Sequence, residues 1–185
     1  MQVEIIGENQ SGQRLDKYLK KLLPQAGTGF LYKMLRKKNI TLNGKKAEGS
    51  ELLRKGDEVK FFFSEETFIK FTGSQEQAEI KTKEYLKAYQ KLKGIEVLYE
   101  DAHILVLNKP AGILSQKAAP EDSSLNEWML GYLLQENPSL EKELSSFKPS
   151  VCNRLDINTS GIVLCGKSLP GLQYLSQCIK ERSVQ

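Results

Sequence analysis

The sequence has little of what many enzymes rely on. Its 185 residues hold one His, His103, one Trp, Trp128, and three Cys. A single imidazole excludes His-rich metal centres and the common zinc hydrolase motifs. Cys152, Cys165 and Cys178 are odd in number and form no C-x-x-C pair, so they support neither a disulfide framework nor a zinc site. No metal site is expected. No apolar run approaches the roughly 18 residues of a membrane-spanning helix. The start, MQVEIIGENQSG, carries acid at Glu4 and no basic-then-apolar pattern, so a secretory signal is not expected and the cytoplasm is. Gly27-Thr-Gly29 lacks the Gly-Lys-Ser/Thr of a phosphate loop. There is no internal repeat and no low-complexity tract. What is present is ordinary: 39% hydrophobic and 27% charged residues. That composition argues against wholesale disorder and fibrous repeats. The length allows one domain or two small ones.

The charge is uneven. Residues 14–55 contain twelve Lys/Arg against three acids, a local balance of +9 within an overall +4, which leaves −5 for the rest. A compact basic module beside a mildly acidic one suggests a polyanion partner for the first. Charge alone leaves open a solvated Lys-rich face that binds nothing.

Apolar spacing predicts a helix over residues 14–23, from Leu15, Tyr18, Leu19 and Leu22, stopped by Pro24. Phe30, Leu31, Met34 and Leu35 predict a second, with Thr28 as its N-cap. Its other face carries Lys33, Arg36, Lys37 and Lys38. Residues 39–46 read as a hairpin turning at Asn43-Gly44, a dipeptide that tolerates positive φ. Residues 54–57 read as a turn and 58–63 as a strand. Residues 1–70 thus form one module, two short helices on a small sheet. Residues 71–94 are polar, then Lys-rich, and read as a linker with a solvent-exposed helix. A second module starts at 95. It has strands over 95–99 and 103–107, an amphipathic helix over 125–134 and loop-like 138–150. A buried strand over 162–165 and a helix over 171–180 complete it.

Two constellations carry chemistry. In the first, Arg14, Lys17, Lys33, Arg36, Lys37 and Lys38 are placed to line one basic surface across two adjacent helices, which suits the closely spaced phosphates of folded RNA. Asp16 serves equally well to orient Arg14 or to cap a helix. In the second, Asn153-Arg-Leu-Asp-Ile-Asn-Thr-Ser-Gly161 precedes a buried strand. Its Asp156 sits in a polar loop on a rigid base. The plainer explanation is a turn, since Asp, Asn, Thr, Ser and Gly are all turn formers. His103, Trp128 and Cys165 read as packing residues.

Residues 12–65, with Arg14-Leu-Asp-Lys-Tyr-Leu19, the basic helix, Thr41-Leu-Asn-Gly44 and Lys55-Gly-Asp57 in that order, resemble the S-four-type (alpha-L) RNA-binding domain. Residues 95–112, ending in Asn108-Lys-Pro-Ala-Gly112, and the later Arg154-Leu-Asp-x-x-Thr-Ser-Gly161 resemble the RluA-type pseudouridine synthases. Together the two resemblances cover residues 12–185. They imply a small α+β RNA-binding domain, a helical linker, and over 95–185 the first half of a mixed, mostly antiparallel catalytic sheet.

The resemblance implies an enzyme that isomerises uridine in RNA. The base–ribose C–N bond is cut, the uracil turns, and it is rejoined through a carbon. Nothing is consumed and no cofactor is implied. Asp156 is the implied catalytic carboxylate, either as nucleophile at the sugar or as base toward a ribose proton, and either role needs it ionised. Arg154 is implied to lie near Asp156 and the RNA, holding the carboxylate charged or filling the space of a flipped base. Thr159, Ser160 and Gly161 shape the loop. Asn153 and Gln116 stand where many relatives have His, and are expected to bear on substrate choice. The implied partner is structured RNA, ribosomal RNA first, with no membrane. The resemblance also implies a further block with a Lys and a Tyr, which residues 1–185 do not contain. This chain on its own is therefore expected to bind RNA without isomerising it. The alternative from another class is a non-catalytic RNA-binding protein.

Overall fold

The computed structural model describes residues 1–72 and 75–183. Gly73 and Ser74, within the expected linker, and Val184 and Gln185 lie outside the described residues. The chain forms two compact units, Met1–Ala78 with Ser145–Phe147, and Glu79–Leu144 with the chain from Lys148 onward. No helix among the described residues is long and apolar enough to cross a membrane.

In the first unit, strands β1 (Gln2–Ile5), β2 (Ile40–Leu42), β3 (Lys45–Lys46) and β4 (Glu58–Phe61) form an antiparallel sheet in the order β1-β4-β2-β3. The β2–β3 hairpin turns at Asn43 and Gly44, with φ 50° and 72°. Positive φ at both central residues gives the turn whose twist matches the strands. Helices α1 (Leu15–Leu22) and α2 (Thr28–Arg36) bury Leu15, Tyr18, Leu19, Leu31 and Leu35 against Ile40, Val59 and Phe61. Each fully buried leucine contributes about 1.5–3 kcal/mol. Thr28 is not the cap: Gly27 takes that position without a side-chain bond, and Thr28 is the first helical residue. Strand β1 and helix α3 (Glu65–Thr72) were not expected. Helix α3 forms because Phe68 and Phe71 have partners outside the segment: Phe68 packs on Phe61 and Phe63, and Phe71 on Phe30.

In the second unit, β5 (Glu96–Glu100), β6 (Ile104–Lys109), β7 (Ser150–Val151) and β8 (Gly161–Gly166) form an antiparallel sheet ordered β5-β6-β8-β7. Alternation along β6 and β8 turns Leu105, Leu107, Val163 and Cys165 toward the core. Helix α5 (Leu125–Glu136) is not amphipathic: nine of its twelve residues are buried. A helix buried nearly all round is a core helix. Helix α4 (Gln75–Lys91), expected to be solvent-exposed, buries Tyr85 in this core and buries Ala88 as well. The expected loop over 138–150 contains a short helix, α6 (Leu140–Glu143). Helix α7 (Leu169–Glu181) follows β8, capped by Ser168, whose Oγ accepts from the Gly171 N–H.

Candidate active site

The Arg154-Leu-Asp156 segment begins where the chain leaves the sheet. The Cys152 N–H donates to the Leu164 carbonyl at 2.7 Å, extending the β7–β8 ladder by one residue. The Asn153 side chain then replaces the backbone: Nδ2 donates to the Ile162 carbonyl at 3.1 Å, and Oδ1 accepts from the Leu164 N–H at 2.8 Å. Both ends of the amide are thus engaged with β8. Two residues on, Leu155 is held through its main chain. The Ser115 Oγ accepts from the Leu155 N–H at 3.0 Å and donates to the Leu155 carbonyl at 2.7 Å. Two further on, the Ile157 carbonyl accepts from the Gly112 N–H at 2.7 Å and from Lys109 Nζ at 3.4 Å.

Residues 153, 155 and 157 are therefore pegged to the body of the unit. The residues between them, Arg154 and Asp156, are exposed. No ion pair joins them among the described residues. The Thr159 N–H donates to the Asp156 carbonyl at 3.0 Å, closing a tight turn. Gly161 ends the turn at φ 146°, where a Cβ would lie 3.4 Å from Leu155 Cδ1. That backbone is one L side chains rarely adopt. Thr159 and Ser160 are exposed, as is Gln116.

Sequence reasoning did not single out Lys109 or Ser115. Lys109 is fully buried, and Nζ also donates to the carbonyls of Ile113 at 2.8 Å and Pro110 at 3.0 Å. Burial pushes its ammonium below the ordinary lysine value, and the negative charge of Asp156 pulls it part way back. Lys109, inside the protein, thus feels the Asp156 charge. A signal was available: Lys109 continues the alternation of Leu105 and Leu107, which points it at the core.

In the first unit, Lys17, Lys33, Arg36, Lys37 and Lys38 are exposed, and none is held in an ion pair among the described residues. Arg14 differs. Its Nε and one terminal nitrogen each approach Asp16 at 3.1 Å, and the Tyr32 hydroxyl donates to the same carboxylate at 3.1 Å. Asp16 therefore orients Arg14 and links α1 to α2. Burial raises the Asp16 carboxyl, but the bonds from Arg14 and Tyr32 and the Arg14 charge outweigh it and leave it below its ordinary 3.8. A lowered folded value means stability that is complete above 3.8 and lost as pH falls below it. Amide protection of α1 and α2 is expected to fall below pH 4. Asp16→Asn is expected to cost about 1–3 kcal/mol at neutral pH and to flatten that acid dependence. Equal acid dependence in the variant would sink this account.

Antiparallel sheet, buried α5 and pegged Asp loop define a region that matches a known family. Residues 103–185 match the family model described as RNA pseudouridylate synthase. The chain is also similar to two proteins named ribosomal large subunit pseudouridine synthase C. The Rickettsia felis protein is 34% identical over 92% of this chain and 52% of its own length. The Salmonella typhi protein is 30% identical over 100% of this chain and 52% of its own. The chain spans about half the length of the curated relatives it matches. A solved structure, Human RNA Pseudouridylate Synthase Domain Containing 4, is similar over 60% of this chain and 36% of that one, at 16% identity and a TM-score of 0.36.

Proposed function

We propose that this protein is an RNA pseudouridine synthase, with Asp156 as its catalytic carboxylate and ribosomal RNA as its substrate. The carrying observation is the loop itself. Within the matched region, the backbone is pegged on both sides of Asp156 while the carboxylate faces solvent, open to a flipped nucleotide. A fixed backbone under an exposed carboxylate is what positioning catalysis needs. Arg154, exposed two residues away, is the candidate to contact the RNA. The reaction breaks the glycosidic C–N bond and forms a C–C bond in its place, with one proton leaving the base carbon and one ending on the freed nitrogen. A ribosomal substrate is supported by the names of the relatives. The cytoplasm belongs to the same proposal.

The first unit is read as the part that grips the RNA backbone, in the manner of the S-four-type domain. Its exposed, unpaired Lys and Arg support this. Replacing Arg36, Lys37 and Lys38 together with Ala is expected to weaken binding to structured RNA. It is also expected to reduce the slope of log affinity against log salt by about 2–3, near one per lost phosphate contact. A variant with unchanged affinity and slope would take α2 off the RNA surface. The function as a whole is tested by mapping pseudouridines in RNA from cells with and without this gene. Loss of discrete ribosomal sites is the expected result, and identical maps would overturn the proposal.

A further inference from the structure

The geometry points to Ser115 as a positioning residue that fixes the Arg154-Leu-Asp156 backbone to the core helix α5; the inference rests on the proposed catalytic role of Asp156. Ser115 lies in the loop between β6 and α5, outside both motifs, and is 4% exposed. Its main chain belongs to the start of the helix: the Ser115 carbonyl accepts from the Asn126 N–H at 3.2 Å, and the preceding Leu114 carbonyl from the Leu125 N–H at 2.8 Å. Its side chain belongs to the site. One hydroxyl oxygen satisfies both main-chain polar groups of Leu155, 40 residues away in sequence. The same first turn of α5 also reaches upstream of the loop, where Asn126 Oδ1 accepts from the Val151 N–H at 3.2 Å and from Ser150 Oγ at 3.3 Å. The loop is therefore referred to one rigid element before and at Leu155.

The consequence is directional. Fixing the N–H and the carbonyl of one residue fixes the two peptide planes beside it, and those planes carry the Cα atoms of Arg154 and Asp156. A hydroxyl suits this place because it donates and accepts through one small atom. Removing it leaves a half-buried donor and a half-buried acceptor without this partner and frees Leu155 to rotate.

The test is Ser115→Ala and Ser115→Cys in the full-length protein, assayed for pseudouridine formation on ribosomal RNA, with Trp128 fluorescence melts as the folding control. A displacement of about 1 Å at a reacting group can cost about 100-fold. Ser115→Ala is accordingly expected to lower kcat by about 10- to 100-fold with KM within about twofold of wild type. Ser115→Cys, a weaker donor and acceptor of similar shape, is expected to fall between. If Ser115→Ala does not fold, the kcat and KM of Ser115→Cys decide. An unchanged kcat in a folded variant overturns the positioning role while leaving Asp156 in place. A rise in KM at constant kcat overturns it too, since that marks lost substrate contact. A wild-type protein that forms no pseudouridine overturns the proposed function, and the positioning role with it.

Discussion

Asp156→Asn in the full-length protein is expected to lower pseudouridine formation by about a thousandfold or more, while RNA affinity stays within about twofold. The substitution keeps the size and polarity of the side chain and removes its charge, which both candidate roles of the carboxylate require. Local structure is expected to survive. The pegs on this loop are the side chains of Asn153, Ser115 and Lys109 and the Gly112 amide, and all of them hold main-chain atoms of residues 155, 157, 162 and 164. The Asp156 side chain is none of them. Under the proposed function most of the binding comes from the cations of the first unit, so it is expected to separate from turnover. Single-turnover measurement on an RNA fragment decides the matter: turnover at the wild-type rate would refute the assignment. A parallel loss of RNA affinity would mean that the carboxylate supports the fold.

Gly131→Ala is expected to destabilise the second unit by about 3 kcal/mol or more, at the upper end of overpacking costs. A Cβ at this position would lie 2.2 Å from the Tyr85 carbonyl oxygen and 2.8 Å from Tyr89 Cβ. The first obstacle is main chain of α4 and cannot move aside as a side-chain tip can. Intrinsic helix propensity predicts the opposite sign, because Ala is favoured over Gly by about 1 kcal/mol within a helix. The sign of the change therefore discriminates between close packing of α4 on α5 and an exposed α4. Trp128 is the only Trp and stacks on Tyr132 in this unit, so its fluorescence reports this unit in urea unfolding. A variant as stable as the wild type would show that α4 does not approach α5 this closely.

Both predictions turn on how local pattern relates to assembled structure. Helices α1, α2 and α5, the β2–β3 hairpin and strands β6 and β8 lie near where apolar spacing and the Asn43-Gly44 signal put them. These signals are local: a period of 3.6 or 2, or two residues that tolerate positive φ. The Asp156 loop was legible for another reason, a run of residues whose order resembles a known family. Helix α4 was misjudged because its burial rests on a short face, Tyr85 and Ala88 with Leu86 and Tyr89 partly buried, and on a glycine about 45 positions away that lets its backbone approach. A short apolar face on a Lys-rich helix carries no moment worth reading. Helix α3 was missed because its reason to form is a set of phenylalanines spread over residues 30–71.

By itself, then, the sequence determined the local elements, the charge imbalance that marks the first unit, and which carboxylate to suspect. Each is written in one contiguous stretch of sequence. The tertiary structure decided what holds that carboxylate in place and what surrounds it. Lys109 lies unremarked in the Asn108-Lys-Pro-Ala-Gly112 run until β6 is seen to turn it inward onto three carbonyls. Ser115 reads as a loop serine until α5 and the Asp loop close around it. Asn153 reads as a position that bears on substrate choice until its amide is seen bonded at both ends to β8. Hydrogen bonds between main-chain groups and side chains up to 40 or more residues away depend on how elements pack. A main-chain carbonyl is the same in every residue, so no sequence pattern records which one a side chain will find.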